Sequence, residues 1–185
     1  RLLLLAKKGK IGDVISVDAT CTSLADGSGD DWNSITAWGP TALLPVFQLL
    51  GTDYKDKNIN SLLLDSAENF DLFTKIDFTY PNAVASIKVG KGVKSEGELI
   101  ISGTKGYIYV PAPWWKTDYF EIRFENQNEN KKYFYQLDGE GIRYELVAFI
   151  KSIELNKTGS YIDINISKEI SSVMEDFDNN KFNNL

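Results

Sequence analysis

Apolar positions along the chain recur first with a helical period, then every second residue, then with a helical period again. Arg1 to Lys8 reads as the last turns of a helix, with Gly9 as its stop. Asp13 to Thr22 reads as a strand carrying the β-branched Val14, Ile15 and Val17. The polar segment SLADGSGDDWNS that follows is dense in Gly, Ser and Asp and predicts a loop. Thr41 then caps a short helix through Leu50, with Leu43, Val46, Phe47 and Leu50 on one face. Pro45 falls near that predicted start, where a missing N–H costs least.

Between Ile59 and Leu137 the period is two. Thr74, Ile76, Phe78 and Tyr80 alternate with Phe73, Lys75, Asp77 and Thr79, turn at Tyr80-Pro81-Asn82-Ala83, and return through Ala83, Ala85, Ile87 and Val89. Glu98 to Ser102 and Gly106 to Val110 form a second hairpin around Gly103-Thr104-Lys105. Phe120, Ile122 and Phe124 mark another strand, and after the polar NQNENK turn come Tyr133, Tyr135 and Leu137. This succession predicts an antiparallel meander.

Ile142, Leu146, Phe149, Ile150 and Ile153 restore a helical stripe from about Glu140 to Leu155. Ser167 is the expected cap of a last helix with Ile170, Val173, Met174 and Phe177 inward and Glu169 in its first turn. The Asn-rich end is expected to fray. Strands in the middle and helices at the ends predict one α+β domain over residues 1–185: an open, mainly antiparallel β-sheet with helices packed on one face.

Composition narrows the chemistry more than the fold. The net charge of −6, without a basic cluster, argues against nucleic acid. Leu2 to Ala6 is too short to span a bilayer and lacks the pattern of a signal peptide, so the expected compartment is the cytoplasm. A single cysteine, Cys21, rules out an internal disulfide and a cysteine-ligated zinc site. The absence of histidine removes Ser-His-Asp and Cys-His mechanisms and the common histidine-ligated metals. Proton transfer is left to carboxylates, Lys, Tyr or Cys21.

The stretch KVGKGVKSEGELIISGTKGYIYVPAPWW concentrates the candidate chemistry. Gly90, Gly92 and Gly97 let a ligand approach the main chain, and Lys91 and Lys94 suit a phosphate or carboxylate. Solvated lysines on a glycine-rich bulge explain the same residues. Trp114 and Trp115, stiffened by Pro111 and Pro113, offer flat faces to a sugar ring, with Lys116 adjacent, but also suit a core or an interface. Arg143 and Tyr144 lie off the stripe of the predicted third helix, near its anion-attracting N-terminus; a structural salt bridge accounts equally for Arg143. Asp30-Asp31 and Glu175-Asp176 read as solvated pairs rather than a glycosidase constellation. Gly90-Lys91-Gly92 leads into another strand, not a helix, so it is no dinucleotide fingerprint, and no Walker A motif occurs.

GKIGDVISVDATCTSL, SEGELIISGTKGYIYVPAPWW and GEGIRYELVAFIKSI occur in the order found in the Gfo/Idh/MocA oxidoreductases. From about Lys10 to Phe177 the chain resembles the carboxy-terminal, substrate-binding domain of that family, a fold like the second domain of dihydrodipicolinate reductase and glyceraldehyde-phosphate dehydrogenase. The resemblance implies an NAD(P)-dependent dehydrogenase acting on a sugar, nucleotide sugar or cyclitol. It also implies homo-oligomers through the open sheet face. NAD or NADP would be held by a Rossmann domain lying before Arg1, with no cofactor or metal site in this chain. A start in mid-helix fits that expectation, and the chain alone is expected to be inactive.

Many members place an Asp and a His on the helix corresponding to WGPTALLPVFQLLG. Here Pro45 stands about where the Asp is expected and Gln48 near the His. Gln48 can hold a hydroxyl but cannot take its proton. The expected substrate-binding set is therefore Gln48, Lys91, Lys94, Trp114, Trp115, Lys116, Arg143 and Tyr144, with Lys94 or Tyr144 as the proton-transfer candidates in this chain. Two other readings compete: a non-catalytic module retaining the fold for dimerisation or carbohydrate recognition, and an unrelated α+β ligand-binding domain.

Overall fold

A computed structural model describes residues 1–24, 33–65, 70–135, 141–155 and 162–185. Along the chain these form α1 (Leu2–Lys7), β1 (Val14–Ser23), α2 (Ser34–Leu50), β2 (Asp56–Asp65), β3 (Phe70–Thr79) and β4 (Val84–Lys91). They continue with β5 (Leu99–Gly103), β6 (Tyr107–Val110), β7 (Tyr119–Arg123), β8 (Lys131–Phe134), α3 (Ile142–Glu154), α4 (Ile164–Asp178) and β9 (Asn183–Asn184). The strands make one sheet in the order β8-β7-β6-β5-β1-β4-β3-β2-β9.

The sheet is mostly antiparallel, as the alternation predicts, but it is not one continuous meander. β1 sits between β4 and β5, parallel to the first and antiparallel to the second. Thr20, Cys21 and Thr22 are successive buried residues, so this part of the strand is covered on both faces, which suits a central slot. Each half of the sheet is a local meander, β2-β3-β4 on one side and β5 to β8 on the other.

One face of the sheet carries Val17, Ala19, Cys21, Ile76, Phe78, Ala85, Ile87, Val89, Leu99, Ile101, Ile108 and Ile122, all buried. α2 covers it through Leu43, Val46 and Phe47, and α4 packs on α2 with Val173 and Phe177 inside. The opposite face bears polar side chains, including the Lys75–Asp77 ion pair at 2.9 Å. No helix among the described residues is long and apolar enough to cross a membrane.

Several boundaries differ from those the pattern predicts. α2 starts at Ser34, capped by Asn33, whose side chain accepts from the Thr36 N–H at 2.8 Å; Thr41 is an interior residue. Pro40 and Pro45 both lie inside the helix. Each forfeits a helical N–H, and burial of the surrounding apolar residues against the sheet outweighs that loss. Ser167 does not cap α4; Asp163 does, accepting from the Asn165 N–H at 2.9 Å. Glu169 instead accepts from the Tyr54 hydroxyl at 2.6 Å. The Asn-rich end is tied down: β9 pairs with β2, Leu185 N–H donates to Ser61 O, and Phe182 stacks on Phe177.

α3 forms where its period predicts, but its apolar stripe stays uncovered. Ile142, Leu146, Phe149, Ile150 and Ile153 are 52–63% exposed, and the helix makes no extended contact with another element. An amphipathic helix gains its stability by burying such a face. The other described helices and the sheet do not supply that cover.

Candidate functional site

Because β1 intervenes between β4 and β5, residues 92–98 must cross the carboxyl end of β1. The crossing is stitched down by hydrogen bonds. Gly92 N–H donates to Ser23 O at 2.7 Å, and Thr20 N–H donates to Glu98 O at 3.1 Å. Thr22 Oγ1 donates to the Ser95 carbonyl at 3.2 Å and accepts from the Ser95 N–H at 3.0 Å. Gly92 has φ +101°, a left-handed backbone that favours glycine and starts the crossing.

Three indoles gather at this end. After the cis Ala112–Pro113 bond, Trp114 N–H donates to Gly97 O at 2.9 Å, joining the PAPWW segment to the crossing. Trp114 Nε1 donates to Thr20 O at 3.2 Å. Trp38, one turn into α2, donates from Nε1 to Ser23 Oγ at 3.2 Å. Trp115 lies between them, its ring centroid 4.9 Å from that of Trp38 and 6.0 Å from that of Trp114, the latter edge-on at 90°. All three are partly buried against the core. Cys21 is buried beneath, and desolvation pushes its thiol up to about 12, with Trp114 opposing the shift.

A second node fixes the start of α2 to the sheet. Ser34 Oγ donates toward the Asp71 and Leu72 carbonyls at 2.8 and 2.9 Å and accepts from the Lys91 N–H at 2.8 Å. The Asp71 carboxylate accepts from the Ile35 N–H at 3.2 Å and from the Thr74 hydroxyl, which also contacts Ser61 Oγ at 2.6 Å. Burial raises the Asp71 pKa, while the Thr74 hydroxyl and the Ile35 and Ser34 N–H groups oppose the rise. The Asp71 side chain thus already occupies the amino end of the helix that follows β1. The Ile35 N–H, which an anion at this helix end would need, is already taken by Asp71. Among the described residues no cluster of three metal-binding side chains occurs.

The structure gathers some of the residues singled out from sequence and separates others. Lys91 adjoins Ser23 in the β1–β4 register, Lys94 is exposed within the crossing, and exposed Lys116 follows Trp115 directly. Gln48 lies ten residues beyond Trp38 on α2, about 15 Å along its axis. It lines a depression with Gly51, Thr52, Asp163 and Asn165 instead. Arg143 and Tyr144 are exposed on α3, where Tyr144 lines a groove of about 690 Å³ with Leu146 and Phe149. Of the acidic pairs, Asp30-Asp31 lies outside the described residues. Glu175 is exposed, as expected of a solvated pair, whereas Asp176 is partly buried and pairs with Lys57 and, at 2.7 Å, with Lys181. Those partners lower its pKa.

Trp38, Ser34 and Asp71 have no place in the sequence-derived set. The cap residue Asn33 directly before Ser34 was the available signal for an earlier α2, and an earlier start brings Trp38 to the crossing.

No protein-family model matches the chain, and no curated protein matches it by sequence. Solved structures match its fold. KijD10, a 3-ketoreductase from Actinomadura kijaniata in complex with NADP and TDP-benzene, superposes with TM-score 0.76 at 11% identity. That match covers 91% of this chain and 55% of KijD10. An oxidoreductase from Agrobacterium radiobacter in complex with NAD+, L-tartaric acid and magnesium gives 0.72 at 16% identity, over 91% and 55%. UDP-N-acetylglucosamine 3-dehydrogenase GnnA from Acidithiobacillus ferrooxidans gives 0.72 at 12%, over 91% and 54%. The chain thus spans about half the length of these structures and shares the fold of that part of them.

Proposed function

We propose that this chain is the substrate-binding portion of an NAD(P)-dependent oxidoreductase acting on a sugar, a nucleotide sugar or a cyclitol. The observation that carries the reading is the indole cluster at the stitched crossing, on a fold shared with 3-ketoreductase and nucleotide-sugar dehydrogenase structures. Flat aromatic faces suit the apolar faces of sugar rings, and the lysines of the crossing suit phosphate or hydroxyl groups. Lys91, Lys94 and Lys116 belong to this end of the sheet. Gln48, Arg143 and Tyr144 join the site only if a further polypeptide region brings ligand to them.

The dinucleotide belongs to that further region, since the start of α2 is closed by Asp71. The stripe of α3 is the surface on which we place it: five large apolar side chains more than half exposed, on a chain about half as long as its structural neighbours. Chemistry awaits that region, so the chain alone is inactive, with Lys94 and Tyr144 as its proton-transfer candidates. The polar sheet face is the proposed seat of a second copy. Nine strands spaced about 4.8 Å apart and about 20 Å long offer roughly 800 Å² per partner, the size of a standard interface.

Titration with UDP-N-acetylglucosamine and TDP-glucose, followed by tryptophan fluorescence, tests the reading. Saturable quenching is expected, with no heat signal for NAD+ or NADP+ in calorimetry. Micromolar dinucleotide binding by this chain would contradict it. The lack of any histidine favours one rival, a carbohydrate-recognition module without turnover. That rival predicts the same sugar binding and no oxidoreductase activity in the longest polypeptide the gene encodes.

A further inference from the structure

The three indoles are not equivalent. The Trp38 and Trp114 N–H groups are spent inside the protein, on Ser23 Oγ and the Thr20 carbonyl. Among the described residues nothing accepts a hydrogen bond from Trp115 Nε1, and that atom is not among the buried polar atoms lacking a partner. The opposite end of the same ring is fixed: Cη2 and Cζ3 lie against Gly97, within 3.2 Å of where a Cβ would stand. Trp38 and Trp114 flank it. The benzo edge is therefore clamped on the crossing, and the pyrrole N–H at the far end of the ring is not fully buried. A donor held on a rigid ring beside an exposed crossing is pre-organised, so little ordering entropy opposes its use.

We propose that Trp115 Nε1–H is a specificity-determining hydrogen-bond donor to a hydroxyl or carbonyl oxygen of the sugar ring, whereas Trp38 and Trp114 hold Trp115 in place. This rests on reading the chain as a sugar-binding domain. A site that donates to one ring oxygen discriminates against an analogue lacking it, because the N–H is then left facing the ligand without a partner.

Indole ¹⁵N–¹H spectra of the chain, assigned with single Trp→Phe variants, test the proposal. In the free protein the Trp115 N–H should exchange with water faster than those of Trp38 and Trp114. TDP-glucose or UDP-N-acetylglucosamine should shift the Trp115 signal. Trp115→Phe keeps a ring and loses the donor; it should weaken the nucleotide sugar about 2- to 10-fold while leaving affinity for TDP or UDP unchanged. If Trp115→Phe fails to fold, the wild-type shift decides alone. Nucleotide sugar that binds with the Trp115 signal unmoved, or equally tightly to wild type and Trp115→Phe, overturns this proposal and leaves the sugar-binding reading standing. No change in any indole signal with either nucleotide sugar overturns both.

Discussion

Gly97 lies so close under Trp115 that a Cβ at position 97 would stand 3.2 Å from both Cη2 and Cζ3 of the indole. This contact explains why a glycine, a lysine-bearing crossing and adjacent tryptophans share one stretch of sequence. The glycine admits the ring, and the ring and the Trp114 backbone hold the crossing in place.

Gly97→Ala should therefore push the indole outward by a few tenths of an ångström. The expected cost is about 1 kcal/mol of stability from overpacking, with an altered tryptophan emission spectrum. Denaturant unfolding and fluorescence of the folded variant check both. An unchanged emission maximum would show that Trp115 does not rest on Gly97.

Asp71→Ala should be among the more damaging single changes. It leaves the Ile35 N–H buried without an acceptor, in a site with no exposed surface, and removes one of the two partners of the Thr74 hydroxyl. A loss of about 2–3 kcal/mol is expected. Asp71→Asn retains an acceptor oxygen and should cost less. The order of the two midpoints in urea is the measurement.

The acidic limb of stability should carry two opposite contributions. Asp176 has a lowered pKa in the fold, held there by Lys181 and Lys57. Its stabilisation is present above the unfolded carboxylate pKa and disappears as pH falls through the folded one. Asp71 has a raised pKa, so the fold binds its proton more tightly than the unfolded chain does. Stability from that group falls as pH rises from the unfolded to the folded pKa. Asp176→Asn should cost about 1 kcal/mol at pH 7 and far less below pH 3. Thermal unfolding of wild type and variant across that range would reveal the convergence.

Cys21 should resist thiol reagents in the folded protein. Its side chain is fully buried and its thiol is pushed up to about 12, which leaves negligible thiolate at pH 8. Labelling with a chromogenic disulfide should be slow in buffer and rapid in denaturant, at a rate set by opening of the sheet around β1.

Charge placed on the α3 stripe should barely alter the stability of this chain. Leu146→Glu with Phe149→Glu changes residues 55% and 61% exposed, so the unfolding free energy should change by no more than about 0.5 kcal/mol per substitution. Binding of an apolar dye should drop sharply. In a polypeptide that includes the cofactor-binding region, the same pair should impair assembly. A large destabilisation of the chain alone would mean that the stripe is covered from within.

Periodicity made most strands of both meanders legible, β3 and β4 on one side and β5 to β8 on the other, because alternation is a local property and each hairpin pairs with its neighbour. It could not reveal the insertion of β1, since nothing in residues 14–23 names β4 and β5 as partners. The start of α2 was obscured by Pro40 and Pro45, which argue locally for a helix boundary and are overruled by the burial of Leu43, Val46 and Phe47. β2 was hidden for a related reason: Asp56 to Asn60 is mostly polar, and its pairing with β3 supplies what propensity lacks. At the site, Trp114, Trp115 and Lys94 were visible as residue types. Trp38 was not, because its approach to Trp115 depends on where α2 begins.

The placement of β1 has a consequence for how the chain acquires its shape. Each half of the sheet is a run of adjacent hairpins with short loops, and such units assemble quickly. Ser16 finds Val84 on one side and Ser102 on the other only after long stretches of chain have been brought round. Closing those loops costs entropy before any ladder compensates it. Capture of the first strand between two preformed ribbons is thus the expected slow step of folding, and the indole corner is completed by that same event.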